Sequence, residues 1–170
     1  MSNIFKRIST FCDIIVSRLA IFAIAAYTIL IFVGVLSRFV LKLPIVSAIE
    51  LSRVGFVWSS LLGAAVAYKR GLHISFTVVL SALSKKAGFY LTILIDIITL
   101  IFFILVLYKS IFFTIRVSPS VLSSTQMSAA VMYFPLPFSI TAMIFHCINF
   151  ITQDLNEVFH KGTLENGASL

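Results

Sequence analysis

Four apolar runs of about twenty residues each, with basic residues gathered between them, constrain this chain more than any other feature of its sequence. A run of that length matches the ~30 Å hydrocarbon core of a bilayer at 1.5 Å per residue. In lipid only helices and closed barrels satisfy every backbone polar group, and uninterrupted apolar runs select the helix. With 60% hydrophobic and 11% charged residues and a mean hydropathy of +1.10, the chain lies far outside the soluble range, where about a quarter of residues are charged. The expected fold is an all-α integral membrane protein with four transmembrane helices plus amphipathic interfacial helices. Its 170 residues leave no room for an extramembrane catalytic domain.

The spans are expected at about 19–38, 48–68, 87–108 and 128–151, within one membrane domain over 1–154. An N-terminal segment, 3–18, alternates Ile4, Phe5, Ile8, Phe11, Cys12 and Ile15 with Lys6, Arg7, Ser9, Thr10 and Asp13 at helical spacing. That pattern predicts an amphipathic helix lying in the interface before the first span. The connector 72–86 is too apolar for water and too short to span, so it is also expected at the interface, closed by Lys85 and Lys86. Pro44 ends the first span region, while Pro135 and Pro137 are expected to kink or break the fourth. Ser123 with Gln126 three residues later forms a capping-box signal in the loop before the fourth span, and 155–170 reads as a polar tail.

The net charge of +7 does not indicate nucleic acid, because the bases sit in short clusters between spans. Such clusters set topology and meet lipid headgroups. Lys6, Arg7, Lys69, Arg70, Lys85, Lys86 and Lys161 fall on one side, against Arg38, Lys42, Lys109 and Arg116 on the other. The excess places both termini in the cytoplasm. His73 belongs with Lys69 and Arg70 in the cytoplasmic cluster. No cleavable leader is evident, since the run after Arg18 is long enough to span.

Polar groups inside the spans are the candidates for chemistry, since a charge at the bilayer centre costs about 2.5–3.5 kcal/mol. Glu50 and Arg53 are three residues apart on one helix face, so they can satisfy each other or reach a neighbouring subunit. Below them Ser59, Gly63 and Ala67 recur every four residues, a small-residue face suited to close helix approach. Trp58, well inside the span, is expected to pack rather than to anchor at the interface. Asp96 is the one acid deep in a span; it is either an ion or proton site or a structural group bonded to Ser59 or Ser60. His146 stands without a second axial histidine at matched depth, and Cys12 and Cys147 read as small apolar fillers. No phosphate loop, nucleophile–base arrangement or metal-ligand spacing occurs, so no enzyme and no cofactor is expected.

Taken together, Arg38, Glu50-Leu51-Ser52-Arg53, Trp58, Gly63-Ala64-Ala65 and Lys69-Arg70-Gly71-x-His73-Ile74 resemble the small membrane subunit of tripartite ATP-independent periplasmic (TRAP) transporters. Gln126-x-Ser128 with Pro135 and Pro137 resembles that family's approach to its fourth helix. The sequence departs from the family at Ile49 and Thr77, where many members carry acids. The resemblance implies a scaffold in a bacterial inner membrane for the large, elevator-type subunit that holds the substrate and sodium sites. It implies a periplasmic binding protein delivering an organic acid such as sialic acid or a C4-dicarboxylate, with membrane phospholipids as further contacts. Arg38, Glu50, Arg53, Trp58, Ser59, Gly63 and Ala67 are then the interface or lipid candidates. Two other readings of the residues stand beside it: an autonomous small homo-oligomeric transporter using Asp96, and the membrane anchor of a redox complex.

Overall fold

A computed structural model of the chain describes residues 2–43, 45–70 and 85–167. Among them are five helices and no strand: α1 (Ser2–Phe39), α2 (Val46–Lys69), α3 (Lys85–Val117), α4 (Ala129–Tyr133) and α5 (Pro135–Gly167). Four stretches are long and apolar enough to cross a membrane: Arg7–Phe39, Val46–Lys69, Tyr90–Val117 and Ala129–Asp154.

The first span and the expected interfacial segment are one unbroken helix. Nothing between Ser2 and Phe39 interrupts the backbone ladder, since the stretch has no proline and its one glycine, Gly34, stays helical. The 33 residues from Arg7 to Phe39 reach about 50 Å, so α1 is longer than the hydrocarbon core it crosses. Its described residues do not sort by polarity as those of a helix in water would. Phe11, Ile14 and Ile15 are exposed, while Ser9 is buried against α5 and Asp13 pairs with α2. With lipid outside, apolar side chains lose nothing by facing outward, and the polar ones must find protein partners.

The helix stops where the hydrogen bond from Val40 N to Leu36 O closes its last turn. Lys42 follows in the left-handed region at φ 54°, Leu43 N returns to Ser37 O at 3.2 Å, and the Ser37 hydroxyl donates to the Leu43 carbonyl. This tight turn sends the chain back as α2, which packs along α1 more extensively than any other pair. Close approach is required at Gly55. A Cβ there would lie 2.6 Å from Tyr27 Cβ, so only glycine lets the two backbones meet at that crossing.

The core is where three helices converge, with Val16 and Ala20 from α1, Leu62 and Ala65 from α2 and Ala142 from α5. α3 packs mainly on α5 and is tied to the rest by edge-on aromatic contacts, Tyr68–Phe103 at 5.1 Å and Phe113–Tyr133 at 4.9 Å. Much of its remaining surface is apolar and exposed, including Ile98, Ile101, Phe102 and Leu105.

The fourth span is interrupted at one residue, Phe134, which keeps helical angles while Pro135 removes the next backbone donor. α4 ends at Tyr133, and α5 starts at Pro135, whose missing N–H falls at a helix start where no donor is needed. The helix start before it is capped by Ser128, whose hydroxyl accepts from Ala130 N at 3.2 Å, not by Ser123. The capping-box expectation fails because Gln126 adopts φ 54°, inside a turn that no helix can include. The stretch expected as a tail after Asp154 continues as helix to Gly167, with no proline to stop it. The interfacial connector 72–86, including His73, lies outside the described residues except for the backbone of Lys85 and Lys86, which opens α3.

Candidate functional site

The loop between α3 and α4 and the first turns of α2 form one hydrogen-bonded unit at the end of the bundle where α1 ends. The loop is a short hairpin. Leu122 N donates to Met127 O at 2.8 Å, Ala129 N to Ser120 O at 2.8 Å, and Val121 pairs with Ser128 across it. The Ser128 hydroxyl donates to Ser118 O at 2.7 Å, so the residue that caps α4 also closes the base of the hairpin. Its tip, Ser123–Gln126, turns back on itself, with Gln126 N donating to Leu122 O at 3.0 Å and Gln126 Nε2 to Ser123 O at 3.0 Å.

Glu50 clamps this tip. Its carboxylate accepts from Thr125 N at 2.7 Å, the Thr125 hydroxyl at 2.8 Å and Ser124 N at 3.1 Å. Consecutive backbone N–H groups converging on one carboxylate make a charge-assisted contact that neutral donors would not match. Glu50 is therefore committed to the loop within its own chain. Arg53, three residues on, forms no ion pair with it. Arg53 is exposed and has no ion pair among the described residues, and Arg38, also exposed, lies 5.9 Å from the Phe39 ring. Spacing along one helix cannot reveal this clamp, because Glu50 and Thr125 are 75 residues apart.

A second tie fastens α2 to the broken fourth span. Trp58 Nε1 donates to Val131 O at 2.9 Å, and its ring lies 6.3 Å from that of Phe134. Pro135 lies just beyond this contact, so Trp58 braces α4 beside the position where the proline removes a backbone donor. Together Glu50 and Trp58 tie the hairpin and α4 to α2.

The small-residue face divides in two. Ser59 is buried, its hydroxyl donating to Phe56 O at 2.9 Å, and does not serve Asp96 as the sequence suggested. Ser60 is exposed, Ala67 is half-buried, and a Cβ on Gly63 would meet nothing within 4 Å. The close intramolecular approach is instead at Gly55, which sequence spacing did not single out.

At the opposite end, Lys69 pairs with Asp13 at 3.0 Å, so this base closes α2 onto α1. Arg70 is exposed just beyond. His146 and Ser9, both 1% exposed, meet at 2.7 Å between Nδ1 and Oγ. Asp96 is 3% exposed, and its backbone carbonyl accepts from Cys147 Sγ at 3.5 Å. Both cysteines are free thiols. Sequence spacing missed the Ser9–His146 pair because its members come from opposite ends of the chain.

No curated protein sequence matches the chain. The model of the family described as tripartite ATP-independent periplasmic transporters, DctQ component, matches residues 27–157. That interval runs from the glycine-mediated crossing of α1 and α2 through the clamped hairpin and both tryptophan-tied helices. The chain therefore belongs to the DctQ component family of tripartite ATP-independent periplasmic transporters.

Proposed function

We propose that this chain is the non-catalytic small membrane subunit of a sodium-coupled TRAP importer for an organic acid of the sialic acid or C4-dicarboxylate class. It lies in the bacterial inner membrane with both termini in the cytoplasm. It scaffolds the large elevator-type subunit and offers the clamped hairpin as a periplasmic contact for the substrate-binding protein. The observation that carries this reading is the coupling of the hairpin to α2 through Glu50, which ties the loop's tip to the span. A scaffold must stay fixed while its partner moves, and a contact surface that moves with a span stays in register with it.

The open space beside Gly63 supports α2 as the helix that meets the large subunit, since a backbone can approach closely there. In that reading Ser60, Gly63 and Ala67 face the partner while Ser59 stays in the chain's own core. The test is co-purification. Gly63→Leu, which fills the open space, is expected to reduce recovery of the large subunit with this chain, and undiminished recovery refutes the assignment. Uptake by vesicles containing this chain alone would favour the autonomous transporter; the scaffold reading expects none.

A further inference from the structure

At the hairpin end of the bundle, α1 and α2 leave a groove of ≈ 420 Å³ on their outer flank. Its walls are apolar, formed by Leu30, Ile31 and Val35 of α1 and Ile49 and Phe56 of α2. Beneath it the helices touch, since a Cβ on Gly34 would lie 3.7 Å from Ala48 Cβ. Three polar residues line it: Ser52, Arg38 and Arg53. The Ser52 hydroxyl is already spent on Ala48 O at 2.6 Å, so the two guanidinium groups are what the groove offers a polar ligand. Neither has an ion pair among the described residues, and the nearest acid in sequence, Glu50, is held by Ser124 and Thr125.

We propose that this groove is a phospholipid site, with the phosphodiester held between Arg38 and Arg53 and one acyl chain lying along the α1–α2 seam. Arg38 is one residue from the end of α1, and Arg53 is seven residues into α2, about 10 Å from its start. Arginine side chains at such depths extend to the headgroup level, where their planar donor fork matches phosphate. The combination of two cations at the mouth and an apolar channel beneath suits an amphiphile with an anionic head. Ile31 and Val35 are exposed on the bundle flank, so the channel opens directly toward hydrocarbon. An acyl chain, a single file of methylenes, runs its length. The site stands on α1 and α2 alone and does not depend on the transporter reading.

The test is native mass spectrometry of the full chain, purified in mild detergent with whatever protein accompanies it from membranes containing phosphatidylethanolamine and phosphatidylglycerol. The wild type is expected to keep one phospholipid mass through delipidation that strips annular lipid. The double substitution Arg38→Gln/Arg53→Gln is expected to lose it, and so is Ile49→Trp, which fills the channel and leaves both cations. Lys42→Gln, outside the groove, is expected to retain it. A wild type without a bound lipid, or a double substitution that keeps it, overturns the proposal. So does a double substitution that releases an accompanying protein while the retained lipid is unchanged, because the arginines would then serve a partner's acid.

Discussion

Replacing Gly55 with alanine adds one methyl group at the closest approach of α1 and α2. Built on the existing backbone, that Cβ would lie 2.6 Å from Tyr27 Cβ and 3.5 Å from Tyr27 Cα. Ordinary contact begins at 3.4 Å, so the helices must separate by about 0.8 Å at the crossing. The obstructing atom is fixed to the backbone and no rotamer change removes it. Overpacking of this kind costs about 1–3 kcal/mol. Alanine also raises helix propensity by up to about 1 kcal/mol, which would hide part of the loss. Gly63→Ala supplies the correction, because it makes the same propensity change on the same helix where the added Cβ meets open space. The difference between the two variants isolates the crossing, and the expected gap is about 2 kcal/mol, or roughly 30-fold in the folding equilibrium. The assay is reversible unfolding of the purified chain in dodecylmaltoside micelles by added dodecyl sulfate, followed by far-ultraviolet circular dichroism. Equal midpoints for the two variants would refute the claim that glycine is required at Gly55.

Glu50→Gln removes the charge from the hairpin clamp and leaves Ser124 N and Thr125 N facing a poorer acceptor; amide exchange at those two positions should accelerate, with exchange in the α1–α2 core unchanged. Trp58→Phe keeps an aromatic ring but loses the bond to Val131 O, a cost of about 1 kcal/mol in the same unfolding assay, and protease cleavage near α4 should increase. For the Lys69–Asp13 pair, whose side chains are 25% and 26% exposed, a double-mutant cycle with alanine should return a coupling of no more than about 1 kcal/mol, and a much larger value would mean that the pair is shielded from solvent.

The number of spans was legible in the sequence because each apolar run has the length a bilayer demands, and that constraint acts on one helix at a time. The break at Pro135 was legible for the same local reason, since proline acts on its own backbone. The burial pattern of the N-terminal helix was not legible: Phe11, Ile14 and Ile15 are exposed and Ser9 is buried, which an apolar solvent on the flank permits. The capping box at Ser123 and Gln126 failed for another reason: the tip conformation is set by Glu50, a residue from a different helix.

The sequence by itself determined a four-span, all-helical membrane chain and the motif pattern of its family, because span length, proline geometry and local residue order do not depend on which helices become neighbours. Tertiary structure alone decided what the polar groups do. Glu50 and Arg53, adjacent on one face, go separate ways: the acid to a hairpin 75 residues distant, the base to a groove beside α1. Which glycine lies at a helix crossing and which faces open space was settled by the crossing point, since two positions eight residues apart on one helix look alike until a second helix passes over one of them.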